Sequence, residues 1–294
     1  KRPNTQPVTG RGHAQTVRFE GEDRYRLFDA FFTTCKPGNS DWHMAVGELD
    51  LDYTRNIGTA RYATIYFKDV PIMKAPYMDF ALNNQRKSGL LPPLIGSSGK
   101  SGPEITLPYY FNLAPNRDLT VSPRLMAKRG VQLGGDLRFL ERYFYGEAKA
   151  EVLPHDLVLG QSRSAVSLVA NYDQPGLMTA ALNLNRVSDD NYFRDLSSRL
   201  AIAAQTTLPR EGYLAYYGGW WNGGWWNATG RFQAFQVLQD ASRSIPVPYW
   251  RAPQLALNAG KQDAGAGLDF NLAAEVVHFR HPTNVIGLRS TVNP

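Results

Sequence analysis

Segments of about ten residues, in which apolar and polar side chains alternate, recur along much of this 294-residue chain. The clearest is "RYFYGEAKAEVL" at residues 142–153. Small or aromatic side chains there alternate with charged ones: Phe144, Ala148 and Ala150 against Glu147, Lys149 and Glu151. A period of two residues places neighbouring side chains on opposite faces of a β-strand. Helical periodicity is nearly absent, so we predict an all-β fold.

The length of these segments after residue 104 bears on the kind of sheet. Strands in globular proteins average about 5–6 residues, whereas strands of outer-membrane barrels run about 9–11 residues and alternate between lipid and lumen. The pattern favours a membrane β-barrel, although a soluble β-sandwich alternates in the same way. In a barrel, we expect the three charged residues above to face the lumen and Phe144, Ala148 and Ala150 to face lipid.

The first 80 residues have shorter, more closely broken segments. Four or five of them recur every 15–20 residues, a spacing that suits a sandwich, a jelly roll or a β-solenoid. The proline-rich stretch "VPIMKAPYMDF" (residues 70–80) is predicted to break the strand pattern. Polar "NNQRKSG" (residues 83–89) is interpreted as a linker. We predict one domain over residues 1–82 and a second over residues 83–294.

Charge and motif spacing argue against several classes of function. The net charge is +6, but the chain has no Lys/Arg run of the nucleic-acid type, so we expect no nucleic-acid partner. No histidine pair has zinc-ligand spacing, and no P-loop or nucleophile elbow occurs. Asp189-Asp190 is interpreted as a solvated turn rather than a metal or acid–base pair. We expect no enzyme activity, no metal and no cofactor.

A tryptophan cluster, "GGWWNGGWW" at residues 218–226, has three possible interpretations. It could form a carbohydrate-binding platform, an aromatic girdle at a membrane interface or a loop tip. A soluble carbohydrate-binding β-sandwich centred on this cluster is therefore one alternative to the membrane barrel.

The chain contains one cysteine, Cys35, within "FDAFFTTCKPGNSDW" (residues 28–42). The turn residues that follow place its thiol at the end of a strand. Such a thiol is inert, reactive or half of a disulfide whose other half lies outside these residues.

Ordered motifs run through most of residues 10–290. They are "FFTTCKPGNSDW" (31–42), "ARYATIYFKDVPIMKAPYMDF" (60–80), "RKSGLLPP" (86–93), "LPYYFNLAPNRDLTVSPRLMAKRG" (107–130), "LRFLERYFYGEAKAEVLPHD" (137–156), "NRVSDDNYFRDL" (185–196) and "FQAFQVLQD" (232–240). Together they resemble the LptD family of lipopolysaccharide-assembly proteins of the Gram-negative outer membrane. Two positions depart from the family pattern: Lys87 stands where a second arginine is usual, and Phe111 where tryptophan is common.

The resemblance implies a fold and a function. Residues 1–82 would be the end of a periplasmic β-jelly roll, and residues 83–294 the first strands of a large antiparallel transmembrane β-barrel. The whole protein would be a lipopolysaccharide translocon of the cell outer membrane, with a periplasmic N-terminal domain and a lateral gate between its first and last barrel strands. The chain would be a fragment of that protein. A generic outer-membrane porin or adhesin barrel is the alternative.

The resemblance also implies roles for single residues. Cys35 would form a long-range disulfide with a cysteine outside this chain, which the periplasm permits. Pro93 and Pro108, placed in the first two barrel strands, would weaken pairing at the lateral gate. Apolar side chains of the jelly-roll strands are candidates for the lipid path, with core packing as the alternative for each: Phe19, Leu27, Phe31, Met44, Leu49, Ile65 and Phe67.

The implied partners follow from the same resemblance. They are lipopolysaccharide, outer-membrane lipid, the plug lipoprotein LptE inside the barrel, and the periplasmic bridge protein LptA. The bridge protein would dock edge-to-edge on the jelly roll by adding strands to its sheet.

Overall fold

The computed structural model describes residues 11–293, except residues 34, 37, 39–40, 83–85, 198–204, 221–222, 241 and 243. Strands make up most of this part of the chain, and the strand pairs of defined register are antiparallel. The predicted fold class is confirmed, with antiparallel sheets consistent with the end of a jelly roll and the first strands of a barrel. The chain divides into two compact units.

The first unit comprises residues 1–91 together with residues 109–112. Its five-stranded sheet is a meander in which each strand pairs with the next. The strands are β1 (Arg11–Gly21), β2 (Arg24–Thr33), β3 (Trp42–Asp52), β4 (Ile57–Phe67) and β5 (Val70–Ala81), and the short β6 (Gly89–Leu90) pairs with Tyr109 and Tyr110. The domain boundary expected after residue 82 stays a prediction.

A kink crosses all five strands at one level. The defined register skips one row of residues, which consists of Gln15, Asp29, Gly47, Tyr62 and Pro76, while pairing continues on both sides of the row. Asp29 and Tyr62 have φ of 48° and 53°, in the left-handed region that side-chain-bearing residues rarely adopt. Side-chain alternation changes phase at this row, so Leu27 and Ala30 pack in the same core cluster although they are three residues apart.

One face of this sheet carries the core of the first unit. Its centre consists of small buried side chains with larger ones around them: Ala30, Val46, Ala60 and Ala63, then Leu27, Met44, Leu49, Met78 and Phe80. The opposite face carries ion pairs, in which Arg26 lies 3.4 Å from Asp50 and 3.5 Å from Glu48. The sheet is therefore apolar on one side and charged on the other.

The expectation that residues 70–80 break the strand pattern is wrong. These residues lie in β5, which pairs with β4 along most of its length. Pro71 lies at a register shift, and Pro76 lies in the kink row. Within the described residues, β5 is an end strand of the five-stranded sheet. An edge strand accommodates proline because half of its N–H positions face away from the sheet.

The second unit comprises residues 92–108 and 113–294. Its main sheet is a meander of twelve strands in the described residues, in the order β7–β8–β10 and then consecutively to β19. They are β7 (Leu94–Ser98), β8 (Gly102–Thr106), β10 (Arg117–Met126), β11 (Gly130–Leu140), β12 (Phe144–Leu153), β13 (Arg163–Gln174), β14 (Met178–Val187), β15 (Thr207–Trp220), β16 (Gly224–Val237), β17 (Trp250–Lys261), β18 (Phe270–Arg280) and β19 (Gly287–Asn293), with β9 (Tyr109–Ala114) between β8 and β10 in the chain.

Most connections differ in length between the two ends of these strands. At one end, which we call the short-turn end, residues 141–143 and 175–177 join neighbouring strands by three-residue turns, although residues 262–269 form a longer connection there. At the other end, which we call the long-loop end, residues 154–162, 188–206 and 238–249 form longer connections, although residues 127–129 form a short one. The alternating segment "SRLAIAAQTTL" (residues 198–208), predicted from the sequence as a strand, lies mostly outside the described residues, and only its last part, from Thr207, belongs to β15.

The long strands have one polar and one apolar face. On the polar face, strand pairing brings together charged and amide side chains such as Lys149 and Asp136 on neighbouring strands. On the apolar face, Ala148 lies beside Leu168, and Leu168 beside Leu184. Glu147 and Glu151 share the polar face with Lys149, because residues two apart in a strand point the same way. The alternation predicted for β12 is therefore present.

A short helix, α1 (Tyr192–Leu196), lies in the connection between β14 and β15. Its buried residues Tyr192 and Leu196 pack with Met126, Leu153 and Leu208. Burial and the nearby Glu151 carboxylate raise the pKa of Tyr192 above its usual value, so its hydroxyl stays protonated and donates to Glu151 at 2.8 Å. No helix in the described part of the chain is long and apolar enough to cross a membrane.

Candidate functional site

The first hairpin of the second unit, formed by β7 and β8, is the least paired part of its sheet. The two strands pair over five residues each, from Leu94 opposite Thr106 to Ser98 opposite Gly102. β8 then pairs with β10 over three residues, whereas β10 and β11 pair over ten. Few ladder hydrogen bonds therefore hold this hairpin to the sheet.

Hydrogen bonds to β10 show which way the backbone of β8 points. The Leu107 N–H donates to Pro123 O at 3.0 Å, and Pro103 O accepts from the Ala127 N–H at 3.0 Å. Antiparallel pairs alternate between those that exchange two hydrogen bonds and those that exchange none. Odd-numbered residues of β8 therefore point toward β10, and even-numbered residues point toward β7.

Prolines end the ladder on both strands of the hairpin. The pairs that can exchange hydrogen bonds recur every second residue, so the next one after Leu94–Thr106 would be Pro92 opposite Pro108. Neither residue has an N–H group, so that pair cannot exchange hydrogen bonds. Pro93 would point the other way, along the side of β7 that has no strand beside it among the described residues. Pro93 and Pro108 lie just outside the strands, not within them as predicted.

The opposite end of the hairpin, its turn at residues 99–101, is held by the segment that follows β10. Each of the three carbonyl groups in the turn accepts one hydrogen bond. Lys128 Nζ donates to Gly99 O at 2.8 Å, Arg129 Nε to Lys100 O at 3.2 Å, and the Lys128 N–H to Ser101 O at 3.0 Å. The hairpin is thus well held at its turn and poorly paired at its proline end.

A group of buried ion pairs lies next to this turn, at the long-loop end. We call it the loop cluster; it consists of Arg129, Asp156, Arg163, Asp189 and Asp195. The Arg163 side chain is 0% exposed and binds both Asp189 oxygens, at 2.7 and 2.9 Å. It also lies 3.1 Å from Asp156 and 3.2 Å from Asp195, while Arg129 pairs with Asp156 at 2.6 Å. The cluster ties together the connections after β10, β12 and β14.

Two further contacts join the hairpin to this region. Lys100 Nζ, at the hairpin turn, donates to Arg194 O at 2.7 Å and lies 3.7 Å from Asp195. Arg124 on β10 donates to Leu196 O at 2.8 Å and pairs with Glu104 on β8 at 2.7 Å. Helix α1 and the loop cluster therefore contact the hairpin from the polar side of the sheet.

The loop cluster favours the ionised form of two carboxyl groups, those of Asp156 and Asp189. Burial of Asp156 and Asp189 by itself raises their pKa values, but hydrogen bonds outweigh this effect. Asp156 accepts from the Val158 N–H and from both arginines, and Asp189 accepts from Arg163 and Ser188. The pKa of each carboxyl group therefore lies below its usual value.

The interpretation of Asp189-Asp190 as a solvated turn is wrong for Asp189, which binds the buried Arg163 in two places, whereas Asp190 is exposed. The partner of Asp189 is 26 residues away, so no local pattern reveals it. In the described ranges, no group of three or more His, Cys, Asp or Glu side chains could hold a metal ion.

Comparison with known proteins identifies the relatives of this chain. A family model described as LPS transport system D matches residues 167–294. The LPS-assembly protein LptD of Azoarcus sp. (strain BH72) is 45% identical over 94% of this chain and 33% of its own length. The chain belongs to the LptD family. The LptD proteins of Aromatoleum aromaticum and Thiobacillus denitrificans are 44% and 41% identical, over 93% and 97% of this chain and 34% and 38% of their own lengths. The chain thus spans about a third of the length of these relatives.

The cysteine of this LptD-family chain lies just past the end of β2. Cys35 is half-buried and is not in a disulfide. Its N–H donates to Thr33 Oγ1 at 3.1 Å, and its Sγ lies 3.7 Å from Trp42 O. Because the chain has no second cysteine, the disulfide implied by the resemblance stays a prediction.

The candidate lipid-path residues of this LptD-family chain lie in different surroundings. Leu27, Met44 and Leu49 pack on the core cluster of the five-stranded sheet. Ile65 pairs with Met44, Phe19 contacts Tyr25 edge-on, and Phe67 is exposed next to Lys68. Phe31 instead stacks between His13 and His43, away from the core, because the kink at Asp29 reverses the alternation. Their role in lipid transport stays a prediction.

The tryptophans at the β15–β16 turn do not form one platform in the described residues. Trp225 and Trp226 are adjacent in β16 and therefore point to opposite faces. Trp226 packs over Gly218, Trp220 over Gly224, and Trp225 over Gly260. This arrangement does not favour a carbohydrate platform over an aromatic band at the short-turn end of the strands.

Sequence reasoning missed helix α1 and the loop cluster. The helix has five residues, too few for a periodic pattern to stand out. One available signal was the pair Tyr192 and Leu196, whose spacing of four places both side chains on one helix face. The buried arginines had no such signal, because their partners come from separate connections.

Proposed function

We propose that this chain is part of an outer-membrane lipopolysaccharide translocon. The observation that carries the proposal is that one LptD-family chain contains both a two-faced sheet of long strands and a five-stranded sheet with one apolar face. Strands of 10–14 residues from β10 to β18 are long enough to span the hydrocarbon of a bilayer. The chemistry required is transport without covalent change.

Each part has a physical task in this proposal. The acyl chains of the lipid need an apolar surface, which the core face of the five-stranded sheet supplies. The sugar-bearing head group needs a wet lumen, lined by the polar face with Glu147, Lys149 and Glu151. The apolar face, with Phe144, Ala148 and Ala150, faces membrane lipid. The plug lipoprotein LptE would occupy the lumen, and the bridge protein LptA would dock on the periplasmic domain.

The hairpin β7–β8 is the lateral gate in this proposal. Its ladder stops at Pro92 and Pro108, and Pro93 withholds a donor from the side of β7 where a closing strand would pair. Weak pairing at this place lets the lipid leave sideways, while the rest of the sheet stays closed.

Changing Pro93 and Pro108 together to alanine should reduce lipopolysaccharide delivery to the cell surface. Each change restores an N–H donor, worth a net ~0.5–1.5 kcal/mol when paired, so the opening equilibrium should fall by about tenfold or more. The measurement is surface lipopolysaccharide in cells carrying the full-length protein with the double change. Periplasmic accumulation and antibiotic hypersensitivity should accompany the loss.

Pro209→Ala is the matched control, because Pro209 lies within β15, far along the sheet from the hairpin. It should leave delivery unchanged. Normal surface delivery by a correctly assembled double variant would refute the gate role of Pro93 and Pro108. Normal delivery after depletion of the whole protein would refute the proposed function itself.

Cys35 should form a disulfide with a cysteine of the full-length protein outside this chain. Non-reducing electrophoresis of the wild-type protein should show a mobility shift that disappears in Cys35→Ser and on reduction. The bond would fix the end of β2 relative to a distant part of the protein. Identical migration of wild type and variant would rule this disulfide out.

A further inference from the structure

We propose that Lys100, Lys128, Arg129 and Asp195 form a hairpin clamp that fixes the turn of β7–β8, so that the hairpin opens only from its proline end. The clamp would control how the proposed lateral gate opens. This role in transport rests on the proposed function, whereas the contacts of the clamp do not. The four residues are positioning residues: Lys100 lies in the turn, and the other three contact the turn or the Lys100 side chain.

The clamp rests first on the contrast between the two ends of the hairpin. At the turn, the carbonyl groups of residues 99, 100 and 101 all accept hydrogen bonds from Lys128 and Arg129. At the other end, Pro92 and Pro108 leave the ladder unable to continue. A hairpin attached in this way pivots at its turn, and its proline end moves most.

The second observation behind the clamp is that Arg129, which holds the turn, is itself fixed by other residues. Arg129 is 5% exposed and is itself fixed by Asp156, which also binds the fully buried Arg163. Asp195 contacts both arginines and Lys100. Because these charges are desolvated and mutually paired, displacing one of them leaves the others unpaired, and this resists movement.

The clamp rests third on the position of Lys100. Its Nζ reaches away from the hairpin to Arg194 O and Asp195, in the connection between β14 and β15. Its side chain is 49% exposed, so it contributes little to the buried core and can be changed without loss of the fold. Lys100 is therefore the residue through which the clamp can be loosened selectively.

The test is hydrogen exchange of the purified full-length protein in lipid, which needs no transport activity. In the wild type, the amides of Ser101 and Lys128, which donate hydrogen bonds at the turn, should exchange more slowly than the amide of Leu107, which donates near the proline end. Lys100→Met removes one hydrogen bond and one ion pair, and exchange at Ser101 and Lys128 should rise roughly fivefold. Lys100→Arg should restore slow exchange, because guanidinium can donate to the same acceptors.

Two further variants make the outcome decisive. Lys149→Met is the matched control, since Lys149 pairs with Glu147 on β12 instead of contacting the turn, and it should leave exchange at Ser101 and Lys128 unchanged. Asp195→Asn should act in the same direction as Lys100→Met. Unchanged exchange at the turn in both Lys100→Met and Asp195→Asn would overturn the clamp, even if the proline variants block transport. A loosened turn with unaffected transport would leave the clamp standing and count against the gate.

Discussion

Replacement of Arg163 by methionine should lower the free energy of unfolding by about 3–5 kcal/mol. The Arg163 side chain is 0% exposed and pairs with Asp156, Asp189 and Asp195. Its loss leaves three carboxylates beside one remaining arginine in a desolvated site, which costs more than the pairs themselves contribute. Denaturant unfolding of the full-length protein in lipid, compared with wild type, measures the effect.

Arg117→Met is the matched control for Arg163→Met. Arg117 donates to Glu141 Oε1 from two nitrogens, at 2.7 and 2.9 Å, but its side chain is 57% exposed and that of Glu141 is 39% exposed. Exposed ion pairs contribute about 0–1 kcal/mol, so this change should cost far less. Adding Asp189→Asn to Arg163→Met should recover part of the loss, because one unpaired charge disappears. Equal costs for the two arginine variants would contradict the buried cluster.

The carboxyl groups of Asp156 and Asp189 make the free energy of unfolding depend on pH. Because the pKa values of Asp156 and Asp189 are lowered in the folded state, their stabilising contribution is present above the unfolded value of ~3.9 and is lost as the pH falls below it. The stability difference between wild type and Arg163→Met should therefore narrow below about pH 4. A constant difference between pH 7 and pH 3 would contradict this assignment.

Leu168→Arg should lower the free energy of unfolding by about 2–4 kcal/mol, whereas Val169→Arg should lower it by much less. The two residues are adjacent near the middle of β13 and point to opposite faces. Leu168 lies beside Ala148 on the apolar face, where an arginine would enter lipid if the proposed orientation holds. Val169 lies beside Glu147 on the polar face, where an arginine meets water and a carboxylate.

This comparison holds depth, strand and introduced side chain constant, so only the face differs. Unfolding of the full-length variants in lipid vesicles gives the two free energies. Equal tolerance of Leu168→Arg and Val169→Arg would exclude the assignment of the apolar face to lipid.

The fold was predictable from the sequence to the extent that it depends on local alternation. In β12, the charged and small residues alternate without interruption, and the structure keeps this order. The prediction failed at residues 70–80, because proline tolerance depends on whether a strand lies at a sheet edge, and the edge is a property of the whole sheet. It also gave no warning that the kink at Asp29 would turn Phe31 away from the core.

The candidate site was predictable only in part. The prolines at residues 93 and 108 were visible as residues without an N–H, but their effect depends on register. Only the pairing of Leu94 with Thr106 shows that Pro92 and Pro108 would meet in one pair. Sequence order likewise could not show that Lys100 contacts Arg194, which is 94 residues away.

The sequence by itself determined the long strands of the second unit, their two faces and the family, because an alternation with a period of two and a series of ordered motifs run along the chain. Tertiary structure alone decided which backbone groups of the first hairpin are paired, and which charges are buried. Ladder register and ion pairing depend on segments far apart in the chain meeting in space. The buried Arg163, with partners from three connections, has its role only in the folded protein.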